Sequence, residues 1–317
     1  MTTYSIPVAN LSDSKSQDQA RREQFIQTVG SSLRDIGFFA LTNHGIGEKD
    51  IANTYELIHD FFQTPEEEKK KYSGTAGGQR GYTPFGVEHA KDQDAPDLKE
   101  FWHVGREFDD TSSLKDLYPP NVWPEGKTQF KSVLLDMFHQ LESCASDVLK
   151  ACALFIGEEE DRFASMSVDG DSIYRLIHYP PVPEDRNPSS IRAAAHEDIN
   201  LITLLIDATD SGLELLKRNQ EWMPVVTPPG CIIVDSGDML QNISNGYFKS
   251  TTHRVTNPGN SRDRRYSMPF FVHPRHECSL NPLASCVALT EGNDSFPNIT
   301  AGEFLTQRLR EIGLIKN

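Results

Sequence analysis

Between residues 172 and 272 the apolar residues fall into short runs rich in Ile, Val, Leu and Thr, separated by Pro, Gly and Asn. The runs cover residues 173–179, 201–206, 213–216, 222–226, 231–235 and 268–272. Segments this short, bounded by turn formers and enriched in β-branched side chains, are strands. Their close succession points to an antiparallel sandwich or barrel. Residues 235–243 break the pattern and predict one or two helical turns.

The flanks read differently. A short strand is expected over residues 4–8. Over residues 19–36, Phe25, Val29, Leu33 and Ile36 recur at steps of three or four, the mark of an amphipathic helix, and Gly37 stops it. Residues 38–42 form an apolar strand, Asn43-His44-Gly45 turns out of it, and a second helix covers residues 48–63. Thr64-Pro65 before three glutamates predicts a helix start, with Thr64 as N-cap and Pro65 as the first helical residue. Residues 74–81 are glycine-rich but lack the preceding strand of a phosphate-binding loop. Over residues 125–156 an apolar residue recurs every three or four positions, from Phe130 to Phe155, so a long helix lies along a core. Thr300 and Glu303 have the spacing of a capping box, with Leu305, Leu309 and Ile312 on one face behind it. The expected fold is mainly β with flanking helices, in a single domain over residues 1–317. Its parts are a mainly helical stretch 1–157, a β core 172–290 and a C-terminal helix 300–315.

Charge narrows the partners. Lys and Arg number 31 against 46 Asp and Glu, a net charge of −15, which repels a phosphate backbone, so no nucleic acid is expected. No apolar run approaches the roughly 20 residues of a spanning helix. The N-terminus has no basic segment followed by an apolar one, so neither a membrane nor a signal peptide is expected. The 5 cysteines are odd in number, widely spaced and without C-x-x-C, which fits reduced thiols and a cytoplasmic location. A monomer or weak homo-oligomer is expected.

The reactive residues lie in the β region. His196-Glu197-Asp198 sets an imidazole and a carboxylate two residues apart, and in an extended chain both point the same way. Chance supplies such a pair about 0.8 times in a chain of this composition, so context decides its meaning. His253 offers a second imidazole from another strand. Two His and one carboxylate on one side of an ion leave three positions open, which suits an Fe(II) that binds O2 and an organic ligand together. Zinc with the same donors and a water is the alternative. Arg265 and Ser267, also two apart, are equipped to grip a carboxylate, or Arg265 belongs to a surface basic patch with Arg262 and Arg264. Tyr179 stands where the chain leaves a strand before Pro180-Pro181. Arg175 shares a strand face with Ile177 and Tyr179. It can meet an anionic substrate or sit in a salt bridge. His44, His59, His103, His139 and His273 have no partner spacing and read as structural.

In these residues the chain resembles the 2-oxoglutarate- and Fe(II)-dependent dioxygenases of the isopenicillin N synthase-like family. The matching segments begin with Ile36-Gly37-Phe38-Phe39, Asn43-His44-Gly45, Arg80-Gly81-Tyr82, Lys99-Glu100-Phe101 and His178-Tyr179-Pro180. They continue with His196-Glu197-Asp198, Gly237-Asp238-Met239-Leu240-Gln241, Thr252-His253-Arg254-Val255 and Arg265-Tyr266-Ser267-Met268-Pro269-Phe270-Phe271. The order is kept over nearly the whole chain. The resemblance implies a distorted double-stranded β-helix, or jelly roll, with helices packed on it. It implies Fe(II) on His196, Asp198 and His253, with 2-oxoglutarate held by Arg265 and Ser267 and helped by Tyr179. It adds Arg80, Tyr82, Phe85 and Phe271 as candidates for the substrate pocket beside Arg175.

The implied function is a non-haem Fe(II) dioxygenase. It oxidises a small molecule, carboxylated or not, with 2-oxoglutarate and O2 and releases succinate and CO2. A keto-acid-independent oxidase like isopenicillin N synthase and a catalytically silent metal-binding or interaction protein are the alternatives. Three departures from common plant members point away from the best-known plant subgroups: Ile177-His178-Tyr179-Pro180 lacks their Asn, Asp235 stands where Asn is common, and Glu197 where Thr is common.

Overall fold

The chain folds into two β-sheets with helices on one side, in a computed structural model that describes residues 4–73, 79–88, 97–181, 191–206, 212–256, 263–292 and 295–311. Residues 74–78 of the glycine-rich run, Arg262 and Ile312 lie outside the described residues. The first half holds β1 (Val8–Asn10), α1 (Gln19–Asp35), β2 (Phe38–Thr42), α2 (Glu48–Phe62), α3 (Glu66–Lys70), β3 (Gly81–Thr83), β4 (Glu100–Gly105), α4 (Thr128–Phe155) and α5 (Ala164–Ser167). The β-rich half holds β5 (Ile173–Tyr179), β6 (Ala193–His196), β7 (Ile202–Ile206), β8 (Leu213–Leu216), β9 (Trp222–Pro224), β10 (Ile232–Ser236), α6 (Asp238–Ile243), β11 (His253–Val255) and β12 (Arg265–Val272). Two helices follow, α7 (Ala284–Leu289) and α8 (Ala301–Glu311).

The major sheet runs β1-β2-β10-β7-β12-β5-β4-β3 and the minor sheet β6-β11-β8-β9. Among the described residues only the β1–β2 pair is parallel. The sheets close on each other at one end through Phe38, Ala40 and Ile233 of the major sheet and Leu215 of the minor. The other face of the major sheet carries the helices: Phe138 of α4 meets Phe270 at 4.9 Å and Phe130 meets Trp102 at 5.3 Å. This is the expected jelly roll.

Strand alternation sorts every side chain of the central strands between these two faces. On β5, Tyr174, Leu176 and His178 face the helices, while Arg175, Ile177 and Tyr179 face the minor sheet and line the space between the sheets. On β12, Tyr266, Met268 and Phe270 take the helix side, and Arg265, Ser267, Pro269 and Phe271 the inner side.

Some boundaries differ from expectation for local reasons. The first strand starts at Val8 rather than Tyr4, because it pairs with residues 40–42 only from there. Pro65, not Thr64, is the N-cap of α3, since the Thr64 hydroxyl turns back to donate to Phe61 O at 2.7 Å. The mainly helical half also supplies β1 to β4, half the strands of the major sheet. Gly37 ends α1 with φ +82°, and a Cβ there would meet Thr251 Oγ1 at 2.4 Å, so neither backbone nor space suits a larger residue. Among the described residues no helix is long and apolar enough to cross a membrane.

The capping box of α8 is present in full. Glu303 N donates to Thr300 Oγ1 at 3.3 Å, and Thr300 N donates back to Glu303 Oε2 at 2.9 Å. Thr300→Ala should lower stability by about 1 kcal/mol. Urea unfolding should show this as a lower midpoint at unchanged slope.

Candidate metal centre and active-site cavity

His196 ends β6 and His253 begins β11, and the two are direct cross-strand partners. Their rings lie 4.5 Å apart, and Phe38 meets the His253 ring edge-on at 5.5 Å. Asp198 lies just past the end of β6 rather than within an extended strand. Its Oδ1 nevertheless sits 3.8 Å from Nε2 of each histidine. One donor atom from each of the three residues lies within 4.8 Å of the others.

Each imidazole is held by its far nitrogen. His196 Nδ1 is 2.7 Å from Ala194 O, and His253 Nδ1 is 3.1 Å from Thr251 O. A carbonyl only accepts, so each Nδ1 carries the proton and each Nε2 presents its lone pair to the cluster. Burial and the neighbouring His253 push His196 down to about 4, against the pull of Asp198, so it stays neutral at pH 7. The second oxygen of Asp198 accepts from the Thr203 hydroxyl, which accepts from Asn200 Nδ2 at 2.9 Å. Asp235, one of the departures from the plant pattern, lies buried beside Asp198. Burial and the facing carboxylate push its acid well above the ordinary range. The donor set fits a divalent ion with open coordination positions.

The backbone behind the cluster is tied to α6. Asp238 N donates to Asp198 O at 2.7 Å and Met239 N to Asn200 O at 3.0 Å. This approach needs Gly237: a Cβ would meet Asn200 O at 2.3 Å and Asp198 O at 2.8 Å. Gly237→Ala should therefore cost about 1–3 kcal/mol by overpacking and displace Asp198. Thermal melts with and without added metal should show a lower Tm and a smaller metal-induced rise.

Two cavities border the cluster, and His196 and Asp198 line both. The inner one, about 70 Å3, lies between the sheets and is lined by Tyr179, Arg265 and Ser267 together with the apolar Leu205, Ile233 and Val255. Arg265 and Tyr179 are register partners, and the guanidinium lies 4.9 Å from the Tyr179 ring. Arg265 is buried in this wall, not part of a surface patch. The outer cavity, about 380 Å3, is lined by Lys99, His103, Arg175, Phe271, His273 and the Arg308 face of α8.

Arg175 and Phe271 thus reach both cavities. Three other substrate candidates do not line either one. Arg80 is 1% exposed and spends its guanidinium on Asp171 at 3.0 Å and Gln79 O at 2.7 Å. Tyr82 pairs in register with Trp102, faces the helices and donates to Glu100. Phe85 is 40% exposed in the loop after β3. Conversely, His103 and His273, read as structural, belong to the cavity wall, as do Glu88, Asp97 and Lys99. The signal for His103 was its position two residues after Phe101 on one strand face.

Known proteins are similar over most of the chain. Residues 6–126 match the model of the non-haem dioxygenase N-terminal region described from morphine synthesis, and residues 170–274 match that of the 2OG-Fe(II) oxygenase superfamily. A homoarginine-6-hydroxylase from Oryza sativa is 30% identical over 297 residues, covering 90% of this chain and 88% of the relative. The chain belongs to the 2-oxoglutarate- and Fe(II)-dependent oxygenases. A solved 2OG-Fe(II) oxygenase family protein from Caulobacter crescentus is 40% identical with a TM-score of 0.86, covering 98% of this chain and 100% of that one. A Neurospora crassa protein solved with alpha-KG (2-oxoglutarate) and thymine is 28% identical with a TM-score of 0.84, covering 96% of each chain. This oxygenase is thus a non-haem Fe(II) oxidoreductase, and its cofactors are Fe(II), 2-oxoglutarate and O2.

Proposed function

We propose that His196 and His253 through Nε2 and Asp198 through Oδ1 hold the Fe(II), and that Arg265, Ser267 and Tyr179 hold 2-oxoglutarate in the inner cavity. The observation that carries this reading is the convergence of three donor atoms whose far sides are already hydrogen-bonded. Bound Fe(II) supplies the coupling of 2-oxoglutarate decarboxylation to oxidation of a second molecule. The protein's own part is positioning and exclusion. Arg265 answers the distal carboxylate of the co-substrate with a rigid fork, and Ser267 adds a hydroxyl on the same strand face. Leu205, Ile233 and Val255 keep water from the hydrocarbon part of the co-substrate. The carbonyls of Ala194 and Thr251 hold both rings in the tautomer that ligates.

The outer cavity takes the primary substrate, a small polar molecule. Its volume, its mixed polar and aromatic wall and the relatives that act on homoarginine or bind thymine support this. The chain is read as one oxygenase domain over residues 1–317 and as a monomer or weak homo-oligomer. The charge of −15 supports a role without nucleic acid, and the 5 cysteines, odd in number and without C-x-x-C, support a cytoplasmic setting.

The test is a screen of small polar compounds against the Fe(II)-loaded protein with 2-oxoglutarate and O2. One compound should raise succinate release and O2 uptake together. Oxygen uptake without succinate would identify the keto-acid-independent oxidase instead, and substrate binding without either would leave a silent binding protein.

A further inference from the structure

The polar wall of the outer cavity is paired within itself. Arg175 enters from the middle of β5, its guanidinium 4.2 Å from the Phe101 ring centroid and 5.3 Å from that of Phe271. Nη1 and Nη2 donate to the two carboxylate oxygens of Glu88 at 3.1 and 3.2 Å, and Nε donates to His103 Nε2 at 2.6 Å. Lys99 Nζ holds Glu88 at 2.7 Å and Asp97 at 2.8 Å, and Asp97 also accepts from Ala194 N at 3.0 Å. All four charged side chains are largely buried. Burial alone would raise the Glu88 acid, yet Arg175 and Lys99 hold it well below the usual carboxylate range. This cluster therefore carries two cations and two carboxylates with no cation left over, and the rest of the charged wall, Arg308 with Glu197, Asp238 and Glu311, is acid-rich.

The grip of Glu88 on Arg175 is the fork-to-fork pairing by which a guanidinium recognises a ligand carboxylate. A singly anionic ligand would have to displace Glu88 from Arg175 onto Lys99, which Asp97 already shares, so three carboxylates would face two cations and one buried charge would go uncompensated. The cavity rim cannot answer that charge, because Arg308 is already shared between Asp238 at 3.4 Å and Glu311 at 2.7 Å. We propose that Glu88 is a specificity-determining residue: it fills the Arg175 fork and restricts the primary substrate to small polar molecules without net negative charge. This rests on the reading of the inner cavity as the co-substrate site, where Arg265 answers the charge of 2-oxoglutarate separately.

The test uses protein loaded with Mn(II) and 2-oxoglutarate, with benzoate and its uncharged counterpart benzamide as probes, titrated by calorimetry. Wild type should bind benzamide more tightly than benzoate. Glu88→Gln keeps the side-chain shape and removes its charge, and should bind benzoate about 10-fold tighter or more than wild type. Adding Arg175→Met should remove that gain. Equal benzoate affinity in wild type and Glu88→Gln, absence of binding to both included, overturns the proposal. Should Glu88→Gln lose its cooperative melt, the wild-type comparison decides: benzoate binding as tightly as benzamide overturns it. Titration of 2-oxoglutarate into the Mn(II)-loaded protein separates the two readings. If the co-substrate fails to bind, the inner-cavity reading falls, and the benzoate titration is decided on the metal-loaded protein alone.

Discussion

Asp198→Asn should weaken Fe(II) binding by well over 100-fold, since losing even a partner that only orients a ligand costs about 10–100-fold. Succinate release should fall with it. The substitution keeps the shape that Thr203 and Asp235 pack against and removes the one negative charge of the donor set. What should disappear is stabilisation by metal. Wild type at a metal concentration about 1,000 times its Kd gains about 4 kcal/mol, and the variant should gain almost none. Thermal melts with and without Mn(II) read this without any turnover. A variant that keeps the full metal-induced rise would remove Asp198 from the ligand set.

Arg265→Leu should act on the other end of the site. It should leave metal binding intact and weaken 2-oxoglutarate by about 2–5 kcal/mol, the range for truncating one partner of a buried charge pair, or about 30-fold and upward in Kd. Arg265 is buried on the inner face of β12 beside Tyr179, so no neighbouring surface cation can replace it. Calorimetric titration of the co-substrate into Mn(II)-loaded protein measures the loss. A fall in metal affinity of the same size would mean that Arg265 supports the fold of the cluster instead.

Much of this site was legible in the sequence because strand alternation is local. Arg265 and Ser267 share a face whatever strand lies beside them, and so do Arg175, Ile177 and Tyr179. The capping box of α8 was legible for the same reason, since Thr300 and Glu303 lie within one turn. What could not be read was which strand lies beside which. Tyr82 goes to the helix side because it pairs with Trp102, a partner 20 residues away in the sequence. Had the β3–β4 pairing been known, Tyr82 would have been excluded and His103 included. Arg80 looked like a cavity cation by resemblance, but its partner Asp171 is 91 residues away. The pairing of Arg175 with Glu88 spans 87 residues, and the approach of Arg308 to Asp238 depends on where α8 docks. These are facts of packing, not of spacing. The metal cluster was half legible: Asp198 joins it from beyond the end of β6, where alternation no longer applies, and Gly237 is what lets the start of α6 pack against the backbone there.

The most direct test of the account is an anaerobic titration of the Fe(II)-loaded protein with 2-oxoglutarate, followed by visible absorbance. Wild type should develop a metal-to-ligand charge-transfer band that saturates at one equivalent. Arg265→Leu should need a far higher co-substrate concentration for the same band, and Asp198→Asn should give none. A band of equal strength and midpoint in all three proteins, or no band in wild type while Fe(II) remains bound, would contradict the assignment of these residues to the iron and its co-substrate.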